Sequence, residues 1–304
     1  MSYDLNIPWP VNSYDKKPNA QELQNLKNTI VTNYSLGVTH QAINFTLPDT
    51  VKVPLNTPSE INPIPITSLL QDLRPKFPKL RLFSRVTLVV NDLTKVPSLG
   101  KLANHFDVIA IQPNNEKALQ LTVLNLDVDL ISVNLVSRLN YFLKFKALHT
   151  AIEKGIKFEI NYAQLTAGSA GYSSSDTSGN LIKKNFFHNV LQLIRGTRSN
   201  GLVISSGAQN PLQLRNVNDV LILLGTLGLE RNKGKKFITE YPEKVLISGK
   251  LKTKSYRQTI AVNDSEKFAE DKEGTETDKL SGVGYKKKLE DSSSGRLLKK
   301  RKLN

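Results

Sequence analysis

The strongest constraint on this 304-residue chain is a repeated alternation of short apolar runs with stretches of helical period. "SYDLNI" (2–7), "HQAINF" (40–45), "SRVTLVVN" (84–91), "DVIAIQ" (107–112), "DLISVN" (129–134), "IKFEINY" (156–162) and "GLVISS" (201–206) read as strands. Helical spacing falls between them, over 19–37, Ser98–His105, Glu116–Asn125, Lys144–Lys154 and Asn185–Arg198. In the first helix Leu23, Leu26, Ile30 and Tyr34 share one face, Asn19 and Glu22 form a capping box, and Gly37 ends it. "PLQLR" (211–215) reads as a short last strand. Asn216 then caps a helix that carries Val217, Val220, Leu221 and Leu224 and stops at Gly228. Seven or eight strand–helix units predict an α/β fold with a parallel sheet, most economically a (β/α)8 TIM-barrel-like single domain. A doubly wound open sheet is the alternative, but no G-x-G-x-x-G follows the first strand.

Three segments break the alternation. Residues 46–80 hold seven of the 14 prolines and read as an extended loop, not a helix. "TAGSAGYSSSDTSGN" (166–180) is a Gly/Ser-rich loop. From about 259 the chain turns polar, so 1–258 is expected to be the folded domain and 259–304 a disordered basic tail.

Charge narrows the partners. The net charge is +15, and 14 Lys and Arg against 9 Asp and Glu from 251 onward leave +10 on the first 250 residues. A folded part that is itself basic points to a polyanion, most simply nucleic acid. No cysteine is present, which excludes disulfides and thiolate metal sites and fits a reducing compartment. No apolar run approaches the ~18 residues of a membrane helix, and the first residues lack the pattern of a signal peptide.

A search for catalytic chemistry returns little. The expected C-terminal strand ends read Asn6, Asn44, Asn91, Asn134, Asn161 and Ser205/Ser206. Amides and hydroxyls hydrogen-bond well but do not titrate near neutral pH. His40, His105, His149 and His188 are scattered, without metal-ligand spacing. Glu159, in an apolar strand, reads as an interior carboxylate paired with a Lys or Arg. No phosphate-binding loop, G-x-S-x-G elbow or cysteine nucleophile occurs, so neither a catalytic residue, a metal nor a cofactor is expected.

The basic residues are more suggestive. Arg81 and Arg85, Arg138, Lys144 and Lys146, Lys183 and Lys184, Arg195 and Arg198, and Lys235 and Lys236 recur near loops and helix ends. Tyr141, Phe142, Phe145, Phe186 and Phe187 lie among them, as suits phosphate contact with base stacking. Arg215 reads either as a docking residue for RNA or a partner, or as a structural one paired with Glu159 or Asp4. In the tail, Lys286, Lys287 and Lys288 and then Lys299, Lys300, Arg301 and Lys302 form two basic blocks across a polar spacer, the pattern of a bipartite nuclear-localisation segment.

Several long segments carry a family resemblance: "DLNIPWPVNSY", "LGVTHQAINF", "NLDVDLISV", "KFEINYA" and "VISSGAQNPLQLRNVNDVLILLGTLGL". Together, from about Tyr3 to Ile260, they resemble the TIM-barrel-like, thirty-kilodalton protein subunit of nuclear ribonuclease P and ribonuclease MRP, the fungal branch in particular. The resemblance implies a barrel scaffold that stabilises the catalytic RNA together with a small α/β partner subunit of the Pop-five type. It implies a place in the nucleus and nucleolus, in precursor-tRNA 5′ maturation and pre-rRNA processing. The fold also resembles metal-dependent phosphoesterases of the polymerase-and-histidinol-phosphatase type, which is the alternative function. Those enzymes need histidines where this chain reads Asp4-Leu5-Asn6.

Overall fold

The computed structural model describes residues 1–51, 53–54, 57–92, 96–139, 141–166, 179–256 and 260–261. Met1–Ile260 forms one compact unit. Seven strands follow one another in chain order around a parallel sheet: β1 (Ser2–Pro8), β2 (Val38–Leu47), β3 (Arg81–Val90), β4 (Val108–Pro113), β5 (Leu130–Ser132), β6 (Lys157–Asn161) and β7 (Leu202–Ser205). The connecting helices are α1 (Ala20–Ser35), α2 (Ile66–Leu73), α3 (Leu99–Ala103), α4 (Glu116–Asn125), α5 (Phe145–Glu153), α6 (Ala163–Thr166), α7 (Gly179–Thr197), α8 (Val217–Thr226), α9 (Arg231–Ile238) and α10 (Glu240–Lys254). All seven strands expected from sequence are present, and the architecture is TIM-barrel-like.

Local chemistry sets the element ends. Glu22 Oε2 accepts the backbone N–H of Asn19 at 2.8 Å, half of a capping box at the start of α1. Asn216 Oδ1 accepts Asn218 N–H at 3.0 Å at the start of α8. Gly37 and Gly155 take φ of +94° and +91° where α1 and α5 turn into strands, a region that glycine enters without strain.

Three expectations need correction. "PLQLR" is not an eighth strand: Pro211–Gln213 is a single 3-10 turn. The position is already filled, because the segment after β7 closes onto β1 directly. Gly207 N–H donates to Asn6 C=O at 2.8 Å, and the Asp4 carboxylate accepts Ser206 N–H at 2.9 Å. The barrel is therefore seven-stranded and nearly closed, with this seam joining β1 to the segment after β7. The proline-rich stretch 46–80 is also not loop throughout, since α2 lies within it. Pro65 ends one proline group and Pro75 opens the next, and the interval buries Leu69 and Leu73, four residues apart. Finally, α9 and α10 continue the fold where no element was expected. Of the Gly/Ser-rich stretch, 167–178 lies outside the described residues. So does the tail, apart from Ile260 and Ala261, with all seven localisation candidates from Lys286 to Lys302.

The interior is layered. At the N-terminal end of the strands Tyr3, Leu5, Ala42, Val108, Leu130 and Val203 make an apolar layer, with Val245 and Leu246 of α10 buried against it. Helix α10 thus plugs the base of the barrel. Gly249 lies so close to the backbone of Asp107, at the entry to β4, that a Cβ would overlap its carbonyl. Lys252, near the end of α10, pairs with Asp127 and Asp129 at 3.0 Å each. Above the apolar layer the interior turns polar. A bulge in β1 causes the change there: Asp4 pairs with Gln41 and Ile7 with Ile43, so Leu5 and Asn6 together face one residue of β2. The extra residue aims Asn6 into the barrel after Leu5.

Candidate functional site: the barrel mouth and its basic flank

The polar layer is built around one ion pair. Arg85 of β3 and Glu159 of β6 are both fully buried. Arg85 Nη1 bonds Glu159 Oε1, and Arg85 Nη2 donates to Oε2 at 2.7 Å. The guanidinium also donates to Leu5 C=O at 2.8 Å and to Thr87 Oγ1 at 3.2 Å. Burial alone would push the Glu159 carboxyl up, but the charge and hydrogen bonds of Arg85 hold it below the usual carboxylate range. The expectation for Glu159 is met. Arg85 is a correction: grouped with the RNA-contact candidates by sequence, its side chain has no access to solvent and is spent on Glu159.

Amides extend this pair toward the mouth. Asn6 Nδ2 donates to Asn161 Oδ1 at 3.0 Å, Asn44 Nδ2 to Asn6 Oδ1 at 2.8 Å, and Thr87 Oγ1 to Asn44 Oδ1 at 2.7 Å. Asn161 Nδ2 donates to Ser132 Oγ at 3.2 Å. Each inner amide is held in one orientation by its neighbours. Above them opens a cavity of about 630 Å³. Asn6, Asn44, Thr87, Gln112, Ser132 and Asn161 reach it from six strands. Asn134 lines it as expected, whereas Asn91, Ser205 and Ser206 do not. Among the described residues Glu22 is the one charged residue in its wall, and no Lys, Arg or His of theirs lines it. Pro8, the last residue of β1, and Trp9, just past it, supply apolar wall.

Asp4 lies beside this cavity, its carboxylate taken up by neutral hydrogen-bond donors. Its carboxylate accepts from Ser206 N–H, from Asn33 Nδ2 at 2.8 Å and from Asn6 N–H at 3.2 Å. Burial raises its pKa, and these donors oppose the rise without cancelling it. Among the described residues no group of three or more His, Cys, Asp or Glu could hold a metal ion. Apart from the Glu22 carboxylate, what the described residues of the mouth offer is neutral hydrogen bonding.

The remaining basic candidates are exposed. Lys184, His188 and Arg195 recur at helical spacing on α7. Arg198, just past α7, lies over the Phe145 ring at 4.4 Å, and Phe145 stacks on His149. With Lys144, Lys146 and Phe142, which is 78% exposed, this makes one cationic and aromatic flank over α5 and α7. Lys144 is partly engaged, pairing with Glu116 at 2.6 Å. Lys183 and Lys184 begin the same helix, and Arg138 lies in the loop before α5. Arg81, at the first position of β3, and Lys235 and Lys236, on α9, belong to other parts of the surface.

Arg215 follows neither structural expectation. Glu159 is taken by Arg85 and Asp4 by neutral donors. Arg215 Nη1 donates instead to the carbonyls of Leu212 and Leu214, at 2.8 and 2.7 Å, and stays exposed. Sequence reading also missed the Arg85–Glu159 pair as a pair. No local signal singled out Arg85 as the partner, since β3 also carries Arg81 and β6 also carries Lys157.

Comparison with known proteins accords with this geometry. The family described as RNase P subunit p30 matches residues 1–254. The Saccharomyces cerevisiae protein named ribonuclease P/MRP protein subunit RPP1 is 40% identical over 260 residues, covering 86% of this chain and 84% of that one. The Schizosaccharomyces pombe protein named probable ribonuclease P protein subunit 3 is 27% identical over 260 residues, 86% of this chain and 98% of that one. A chain from an archaeal ribonuclease P solved with mature tRNA shares the fold, with a TM-score of 0.56 at 19% identity, covering 86% of this chain and 97% of that one. The chain belongs to the RNase P subunit p30 family.

Proposed function

We propose that the chain is a non-catalytic RNA-binding scaffold subunit of ribonuclease P and ribonuclease MRP, supporting precursor-tRNA 5′ maturation and pre-rRNA processing. Family membership supports the subunit role. The observation that carries the non-catalytic reading is the Arg85–Glu159 pair: the charge deepest in the barrel is neutralised internally, and apart from Glu22 the described residues lining the mouth above it are neutral. The observation that favours RNA is the flank of α5 and α7, where Arg138, Lys144, Lys146, Lys183, Lys184, Arg195 and Arg198 are exposed beside Phe142 and Phe145. Cations that contact phosphate, next to rings that accept a base, form a surface for structured RNA.

The partners in this reading are the catalytic RNAs of the two ribonucleoproteins and a small α/β subunit of the Pop-five type. Arg81, Arg215, Lys235 and Lys236, away from the main flank, are assigned to RNA or to such a partner. The folded domain is taken as 1–258, with the two basic blocks of the tail directing the chain to the nucleus and nucleolus. Affinity purification of the full chain with sequencing of the bound RNA tests the reading. Enrichment of one or two structured non-coding RNAs is expected. Recovery of none, or cleavage of precursor tRNA by the purified chain alone with Mg²⁺, overturns it.

A further inference from the structure

The cavity at the barrel mouth is left without a role by a scaffold whose cations lie outside it. Its volume, about 630 Å³, is within the range of small-ligand sites, roughly 300–1,000 Å³. Its chemistry is selective. Among the described residues no cation lines it, so these offer no charge to a phosphate, and the carboxylate of Glu22 is turned to Asn19 N–H. The inner amides satisfy one another, but the outer ones keep capacity. Among the described residues the Gln112 side chain makes no hydrogen bond. Asn134 uses Oδ1 to cap Val136 N–H at 3.1 Å, leaving its Nδ2 donors open. Gln164 carries a buried Oε1 without a partner. The cavity therefore presents fixed donors and acceptors beside the Trp9 ring. That combination matches the hydrogen-bonding edge and the flat face of an unpaired nucleobase.

Cations stand where the attached phosphates would fall. Val136 lines the cavity, and its carbonyl accepts Asn185 Nδ2 at 3.1 Å, which sets the start of α7 against the rim. Lys183 and Lys184 precede Asn185, and Arg138 follows Val136 by two residues; all three are exposed. We infer that the barrel mouth is a binding site for an unpaired nucleobase of single-stranded RNA, with the flanking phosphates held at the rim by Arg138, Lys183 and Lys184. The inference rests on the RNA-binding reading and adds to it a site that recognises bases.

Trp9 is the only tryptophan in the chain and lines the cavity from the core beneath it, so tryptophan fluorescence responds to changes at this wall. The full-length chain is titrated with a short single-stranded RNA and with an abasic oligonucleotide of equal length and charge. The RNA is expected to quench Trp9 and to bind about tenfold more tightly than the abasic strand. Gln112→Ala should erase that difference without changing abasic binding. Asn134→Asp, which keeps the cap on Val136 and removes the open donors, should do the same. Lys183→Glu with Lys184→Glu should weaken both strands alike. Equal affinity for the two strands with no change in Trp9 overturns the nucleobase site and leaves the RNA-binding flank standing. Failure of both strands to bind overturns both readings. A Trp9 response only when protein subunits of the complex are added means the cavity takes a protein segment, and the inference falls.

Discussion

Arg85 grips both carboxylate oxygens of Glu159 across the barrel interior, joining β3 to β6 where neither side chain meets water. Removing one partner leaves a buried charge alone. Arg85→Met or Glu159→Leu should each cost about 3–5 kcal/mol of stability. The double variant Arg85→Met/Glu159→Leu should cost less than either single change. Denaturant unfolding of the three variants measures this, and strictly additive losses would mean the two groups act independently. The pair also sets a pH dependence. Glu159 is held below its unfolded pKa, so its contribution is complete above the ordinary carboxylate range and is lost as pH falls toward its own lowered value. Glu159→Gln should remove that acid-side loss.

Asp4 has the opposite sign. Its pKa is raised in the fold, so its contribution is greatest at acid pH, below the unfolded value, and is lost as pH rises through the folded one. Asp4→Asn should therefore gain stability relative to the parent as pH rises through the carboxylate range. Asp4→Ala should open the seam between β1 and the segment after β7. Hydrogen exchange at Ser206 and Gly207 would show it, and unchanged protection there would count against the seam.

At the base of the barrel, Leu246→Ala should destabilise by about 2–5 kcal/mol, as truncating a buried leucine does. Gly249→Ala should destabilise too, although alanine is the better helix former, because its Cβ meets the Asp107 carbonyl. A rise in thermal midpoint for Gly249→Ala would show that α10 does not lie so close.

Binding to the catalytic RNA should weaken with salt at a log–log slope of roughly −0.7 to −0.9 per phosphate contacted. Lys184→Glu with Arg195→Glu, on one face of α7, should make that slope shallower with the fold intact. Filter binding at several salt concentrations measures it. An unchanged slope would show that this face only solvates the helix.

Much of this was legible before any coordinates. Strand positions followed from apolar runs such as "DVIAIQ", and caps such as Asn19 and Asn216 were visible because capping is a local matter of a few residues. Helix α2 was hidden by counting prolines over the whole of 46–80; the Pro-free interval from Ile66 to Leu73 was the better unit. Helix α10 was hidden by Pro242, which the first turn of a helix tolerates. The partner of Glu159 was beyond sequence reading, because it lies 74 residues away and depends on strand register. The same holds for the cavity, whose lining residues are gathered from strand ends and loops spread along the chain.

The position of α10 has a consequence for synthesis. Val245 and Leu246 emerge from the ribosome only after all seven strands, yet they cover the apolar layer that Tyr3 and Leu5 began to build. Until they arrive, the growing chain carries an open-ended barrel with its greasiest ring bare. A nascent chain stalled short of residue 245 should therefore be a chaperone client, and one released past α10 should not.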